Sequence, residues 1–373
     1  MSQEGREERM EQQRKEIHSH EEHHSHHHHS GHHSRHSKKR MSKGTSILLR
    51  IVIVIVVIAL LLGAAVLILD HIGKGKLTGG EDMSAIPEAE IESSGRVRYQ
   101  GQLYQYKKNI TTILLLGVDS RNKDESTGEF GRSNQSDVNV LAVLDPTSKQ
   151  ITLINVSRDS MVELEVLDDY GNTKGTARAQ LALAYAYGDG AEVSCELARN
   201  AVSGMFFDLP IHAYASIYMN GIADLVGEVG SITVTPPDTF GSFTAGQAVQ
   251  LTRSNTESYL RHRTYDLEGN NQRMERQKQV LMALVKAVLV KVRQQPISIL
   301  TIYDAAKRNV TTDLTTASIL YLGRTAAGMH LNEDMLKVAG ESVLGAENHA
   351  EYLVDETALY EMILSVFYDP IDG

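Results

Sequence analysis

Tryptophan is absent from this chain of 373 residues, and cysteine occurs once, at Cys195. A lone thiol excludes an internal disulfide and any cysteine-based metal site. It suits either a reducing compartment or a bacterial surface protein that avoids cysteine. Several local signatures of chemistry are missing as well. No GxxxxGKS/T, GxSxG or GxGxxG stretch occurs, which removes the usual phosphate loop, serine elbow and dinucleotide fingerprint. No internal repeat of diagnostic period is present. Positive charge is scarce where it would matter for nucleic acid. The net charge is −10, and residues 1–50 hold ten Lys+Arg against seven Glu, about +3, so the remainder carries about −13. A nucleic-acid binder shows the opposite field.

One long apolar run is present. The segment "ILLRIVIVIVVIALLLGAAVLIL", Ile47 to Leu69, contains nineteen uncharged residues from Ile51 onward. At 1.5 Å per residue these reach roughly 28 Å, the thickness of a bilayer core. Some fifty residues precede the run, so an uncleaved single-pass anchor fits better than a signal peptide. "RHSKKRMSK" stands before it and Asp70 with a mixed, Gly-rich stretch after it. The positive-inside rule then predicts a cytoplasmic N-terminus and an exterior remainder, that is, a cell-membrane protein with an extracellular domain.

The chain divides accordingly. Residues 1–46 read as a disordered cytoplasmic tail; His18 to His36 holds eleven of the sixteen histidines, and loose Zn²⁺ or Ni²⁺ binding is the alternative to a merely polar tail. Residues 47–69 are the transmembrane anchor and 70–108 an extracellular stalk, with a short amphipathic strand around "GRVRYQGQLYQYKK". Residues 109–295 form the main domain and 296–373 a C-terminal helical extension packed on it. Within the main domain, Ile113 to Leu116 is a strand buried on both faces. Val138 to Leu144 and Ile151 to Val156 flank "DPTSK" as a hairpin. "ARAQLALAYAYGDGAEVSCELARNAVSGMF" predicts helices broken at Gly188-Asp189-Gly190, and "YASIYMNGIADLVGEVGSITVTPP" predicts strand, helix, strand. Leu281, Leu284, Val285, Val288, Leu289 and Val292 share one helical face. Alternating elements of this kind predict an α/β (α+β layered) domain.

The chemistry-bearing residues gather at strand ends. Asp119 follows one buried strand, Asp137 precedes another, and Arg158 with Asp159 closes the hairpin. Open sheets place ligand groups there. "YLRHRTYDLEGNNQRMERQ", Tyr259 to Gln277, adds Arg261 and Arg263, two apart, then Arg273 and Arg276, three apart near a helix start. Carboxylates without cysteine or clustered histidine suit a hard cation, Mg²⁺ or Mn²⁺. Guanidinium groups grip phosphate oxygens. Together they suggest a metal–diphosphate site, against the plainer reading of turn-forming aspartates and solvated surface ion pairs.

Four stretches in order, "ILLLGVDSR", "SDVNVLAVLDPTSKQITLINVSRD", "AYAYGDG" and "YLRHRTYDLEGNNQRMERQKQVL", resemble the LytR-CpsA-Psr family of bacterial cell-envelope proteins over about Thr111 to Val292. The resemblance implies a central mixed β-sheet flanked by helices, with an apolar groove for a polyprenyl chain. It implies transfer of a glycopolymer, teichoic acid or capsule, from an undecaprenyl-diphosphate carrier to peptidoglycan, with a phosphodiester to the muramic acid sugar as product. It assigns Asp119 and Asp137 to the metal and to catalysis, Arg158 to the "RD" position, and Arg261, Arg263, Arg273 and Gln277, with Arg158, to the diphosphate. Either Asp119 or Asp137 orients or deprotonates the acceptor hydroxyl, and Arg276 is left to structural pairing. A non-catalytic scaffold holding the same lipid-linked polymer is the alternative. The chain departs from the family pattern at Asn270, where an aspartate is common, at Gln135 of "QSD", where an arginine is common and Arg132 stands three residues earlier, and at Gln180, where a lysine is common.

Overall fold

The structure, a computed structural model, describes residues 69–75, 77, 89–93, 95–123, 133–262, 267–345 and 349–372. The expected tail and anchor, apart from Leu69, lie outside the described residues, as do Arg132 and Arg263. Among the described residues no helix is long and apolar enough to cross a membrane.

Three short strands come first, β1 (Ala89–Ser93), β2 (Arg96–Tyr99) and β3 (Gln102–Tyr106), within the stretch read as a stalk. Next come β4 (Thr111–Val118), β5 (Ser136–Asp145) and β6 (Gln150–Val156). β4 is almost wholly buried, and β5 and β6 pair antiparallel, so the two-faced strand and the hairpin both stand as expected. A second hairpin follows, β7 (Met161–Leu167) with β8 (Thr173–Gln180). Here the helical reading of "ARAQ" fails. Ala177–Gln180 form the end of β8, because cross-strand pairing with β7 outweighs the helix preference of alanine. Helices α1 (Ala182–Ala186) and α2 (Glu192–Met205) lie on either side of the glycine break.

The chain then runs through β9 (Ala213–Tyr218), α3 (Met219–Val229), β10 (Ile232–Val234), β11 (Val249–Leu251) and α4 (Thr256–Arg261) to the long helix α5 (Leu267–Gln294). α6 (Ser298–Ala306), β12 (Val310–Thr312), α7 (Thr316–Ala327), β13 (His330–Leu331), β14 (Leu336–Lys337), β15 (Gly340–Leu344), β16 (Ala350–Val354), α8 (Glu356–Phe367) and β17 (Tyr368–Ile371) complete it. Residues 296–373 therefore supply strands as well as helices.

The central sheet has the order β12-β9-β4-β5-β6-β13, with β14 also on β6. β9 runs parallel to β4, whereas β5 runs antiparallel to both β4 and β6, so the sheet is mixed. Side-chain alternation sends the two faces of each strand to different cores. Leu114, Leu116, Leu141, Val143 and Ile154 pack with Ala198 and Val202 of α2 and Ile363 of α8. Ile113, Val140, Ala142, Leu144 and Leu153 face the other way, with Leu289 of α5 and Tyr321 of α7. Helices cover both faces of the sheet.

Candidate functional site: a guanidinium–carboxylate cluster between two cavities

β4 and β5 carry the site at their adjoining ends. Their register shifts between Gly117 and Val118, a bulge of the kind that re-aims side chains beside a site. Gly117 permits the close pairing there. A Cβ on it would stand 2.9 Å from Val138 Cβ. Asp119 then leaves β4 with its amide bonded to Gln135 O at 3.2 Å.

Asp137, at the start of β5, is the centre of the cluster. Its side chain is 4% exposed. Arg158 Nη1 donates to Asp137 Oδ1, and Arg158 Nη2 donates to Gln135 Oε1 at 2.6 Å. From α5, Arg273 Nη2 stands 3.0 Å from Asp137 Oδ2 and Arg273 Nη1 3.5 Å from Asp119 Oδ2. Thus Asp119, Asp137, Arg158 and Arg273 meet. Although Asp137 Oδ2 is that close to a guanidinium nitrogen, it is buried with no properly aligned hydrogen bond, and so is Arg273 Nε. An acceptor and a donor are left over at the same spot.

Two cavities open on this cluster. The first, about 400 Å³, lies between the sheet and α5 and is walled by apolar side chains including Leu115, Ile222, Leu281, Leu284, Val285 and Val288, with Asp119 and Asp137 among its lining. Five of the six residues on the predicted apolar face of α5 line it, so that stripe is largely a chamber wall. The second cavity, about 410 Å³, has a mixed lining and is the more polar of the two; it is called the polar cavity. Arg158, Asp159, Asn155, Lys278, Lys337 and Tyr352 contribute to its lining. Asp137, Val138, Gln277 and Leu281 line both.

The other sequence candidates separate. Gln277 belongs to the shared wall. Arg261 ends α4 with its side chain 43% exposed, in a network apart from Asp137: Arg261 lies 3.6 Å from Glu257, which Arg121 Nε meets at 2.8 Å. Helix α5 starts at Leu267, so Arg273 and Arg276 lie inside it rather than at its first turn, and the dipole advantage expected for them does not apply. Arg276 is fully buried and structural. It donates to Tyr259 O at 3.1 Å and to His262 O, meets Asp238 Oδ1 at 2.5 Å and lies over the Phe240 ring. Gln135, where the family pattern has arginine, holds Arg158 in place. Gln180 bonds Ala350 O at 2.5 Å and Asp159 Oδ1 at 3.4 Å. Asp159 lies 3.6 Å from Arg158 Nε. Burial raises its carboxyl above the usual range, a shift that Arg158 opposes. Sequence reading marked Gln135 only as a departure from the family pattern, without its contact to Arg158, and missed Lys278, Lys337 and Tyr352. The last two come from β14 and β16, remote in sequence and without a local signature.

The model of the LytR_cpsA_psr family matches residues 77–364. The chain belongs to that family. Its match extends beyond the motif-bearing stretch on both sides and takes in β3 and most of α8. Among the LytR_cpsA_psr relatives, the polyisoprenyl-teichoic acid–peptidoglycan teichoic acid transferase TagU of Enterococcus faecalis is 33% identical over 56% of this chain and 63% of its own length. TagV of Bacillus subtilis, named for the same transfer, is 26% identical over 76% of this chain and 70% of its own. The chain thus spans less than two thirds of the first of these. The crystal structure of B. subtilis TagV covers 70% of this chain and 96% of its own with a TM-score of 0.51 at 24% identity, a likeness of fold.

Proposed function

We propose that this chain is a phosphotransferase that moves a glycopolymer, teichoic acid, capsule or similar, from a polyprenyl-diphosphate carrier to peptidoglycan. The observation that carries this reading is that the Asp137–Arg158–Arg273 cluster borders an apolar chamber, which Asp137 itself lines. A ligand with a long hydrocarbon tail and an anionic head has both halves of its chemistry met there. The names of the TagU and TagV relatives support the same choice of substrates.

In this reading the polyprenyl tail occupies the apolar chamber and the diphosphate lies against Arg158, Arg273 and Gln277. Arg273 Nε, buried without a partner, offers a hydrogen bond to a phosphate oxygen. The acceptor hydroxyl oxygen forms a bond to the sugar-linked phosphorus. The bond from that phosphorus to the bridging oxygen breaks, and polyprenyl monophosphate departs with the electron pair. The hydroxyl proton passes to a carboxylate. The arginines stabilise charge that grows on the leaving group, and they are already in place before it grows.

Mg²⁺ or Mn²⁺ fits the donor set. Asp137 Oδ2 is a buried oxygen without a hydrogen bond, and Asp119, 40% exposed, shares Arg273 with it. No cluster of three or more metal-ligating side chains occurs among the described residues, but Mg²⁺ is commonly held by one or two carboxylates plus substrate phosphates. Asp119 and Asp137 would hold the ion, whose chemistry when bound is to neutralise the diphosphate and polarise its oxygens. Residues 47–69 would anchor the protein in the cell membrane, with residues 1–46 cytoplasmic and the catalytic domain extracellular.

Full-length protein in detergent, incubated with Mg²⁺, a prenyl-diphosphate-linked saccharide and a peptidoglycan glycan strand, tests the proposal. Transfer that falls at least about a hundredfold in Arg273→Ala and with chelator is the expected result. Tight donor binding with no turnover would establish the scaffold alternative instead.

A further inference from the structure

The polar cavity has no part in holding the lipid, yet it is as large as the apolar chamber and shares a wall with it. Arg273 stands behind both spaces and lines neither, while the other cluster residues and the neighbouring Asp159 divide between them. Asp119 lines only the apolar chamber, Arg158 and Asp159 only the polar cavity, and Asp137 both. A phosphorus held by the cluster therefore has the apolar chamber on one side and the polar cavity on the other. Phosphoryl transfer places the entering and leaving oxygens roughly in line, on opposite sides of the phosphorus. If the leaving group carries the tail in the apolar chamber, the entering hydroxyl comes from the polar cavity.

We infer that the polar cavity is the binding site for the acceptor saccharide, and that Asp159 receives the proton of the attacking hydroxyl. This rests on the transferase reading above.

The lining is suited to a sugar. Asn155, Ser157, Lys278 and Ser342 supply donors and acceptors, and Tyr352, buried with Lys337 Nζ over its ring at 5.8 Å, completes the wall. Such a set of amide, hydroxyl and ammonium groups can meet the hydroxyls of a saccharide. The β15–β16 hairpin contributes Ser342 and Tyr352 to the lining, and it is held to the segment beside Arg158 where Tyr352 N bonds Asp159 O at 2.8 Å, and to the end of β8 where Gln180 Nε2 bonds Ala350 O. Three carboxylates reach the cavity, and two are engaged elsewhere. Asp137 faces Arg158 and Arg273, and Glu275 lies 4.0 Å from Lys278 and accepts from Gln279. Glu275 is thus met at both oxygens, whereas Arg158 at 3.6 Å and Gln180 at 3.4 Å both meet Asp159 at Oδ1, which leaves Oδ2 able to accept a proton.

The test separates donor from acceptor kinetics in the full-length chain, with the prenyl-diphosphate-linked saccharide as donor and a soluble peptidoglycan glycan strand as acceptor. Ser342 and Lys278 are exposed, so Ser342→Trp and Lys278→Ala are compatible with folding. Ser342→Trp, which plugs the cavity, is expected to raise the acceptor KM about tenfold or more, equivalent to about 1.4 kcal/mol, with the donor KM within twofold. Lys278→Ala is expected to shift the same constant in the same direction. Asp159→Asn is expected to lower kcat about a hundredfold with both KM values within twofold. A parallel rise in donor KM, or no change in acceptor KM with the plug, would overturn the site. Undiminished kcat in Asp159→Asn would overturn the role of Asp159. A wild-type protein without transfer would instead count against the transferase reading itself.

Discussion

Asp137 Oδ2 and Arg273 Nη2 stand 3.0 Å apart in a nearly dry setting without forming an aligned hydrogen bond. The pair attracts through charge but keeps bonding capacity in reserve. A fully satisfied ion pair at this position would have to be broken for a phosphate to enter. Here an acceptor on one partner and a donor on the other are available at the outset.

The first consequence is a coupling in stability. Asp137→Ala leaves Arg273 buried without a counter-charge, and breaking a buried pair costs about 3–5 kcal/mol. The cost is lower here, because Arg158 is 21% exposed and Asp119 also reaches Arg273. Asp137→Ala should abolish transfer and lower the urea midpoint. Adding Arg273→Met should recover part of the stability and none of the activity. A double mutant no more stable than Asp137→Ala would show that the two residues are not coupled.

Arg276 and Arg261 should behave in opposite ways. Arg276→Met removes contacts to Asp238, Tyr259 O and His262 O and leaves those acceptors behind. Its expected cost is about 3–5 kcal/mol in a denaturant melt. The exposed pair of Arg261 with Glu257 is worth at most about 1 kcal/mol. Arg261→Ala should therefore fold normally, and activity per folded molecule then measures its contact with phosphate directly. Marked unfolding of Arg261→Ala would contradict the exposed placement.

The apolar chamber can be filled. Val285→Trp projects into it from α5, and filling an empty apolar space carries little stability penalty where the new ring fits. The melting temperature should stay the same or rise. The donor KM should rise about tenfold for a long-chain prenyl donor and less for a short one. Equal effects on both chain lengths would place the tail elsewhere.

Asp159 gives a pH test. Burial raises its folded-state pKa above the unfolded value, so its ionised form works against folding. That penalty is present above the folded pKa and vanishes as pH falls below the unfolded value. Asp159→Asn mimics the neutral form, so its melting temperature should exceed that of the wild type at neutral pH. The difference should shrink on acidification through the carboxylate range. A gain that is independent of pH would assign it to packing.

Much of this was legible in the sequence for physical reasons. A strand buried on both faces has to be a continuous apolar run, and Ile113 to Leu116 is one. A hairpin needs its turn residues, and "DPTSK" supplies them. Asp119, Asp137, Arg158 and Arg273 stood out as charged groups at strand ends or in a dense arginine stretch, and they meet in space. The limits are equally physical. Residues 177–180 are helix formers held in a strand by a partner hairpin, which no local pattern records. Arg276 has the same composition signal as Arg273, and only its partners Asp238 and Phe240 distinguish the two. The polar cavity draws Lys337 and Tyr352 from strands far along the chain, and each residue alone reads as ordinary surface.

The pairing of β17 with β3 has an effect on how the protein is made. Tyr368 faces Tyr106 in that ladder, so nearly the whole folded chain separates the two strands. During synthesis β3 emerges early, and one of its edges stays unpaired until the distant β17 has been made. A chain cut short of β17 therefore leaves an open strand that quality-control proteases and neighbouring chains can recognise.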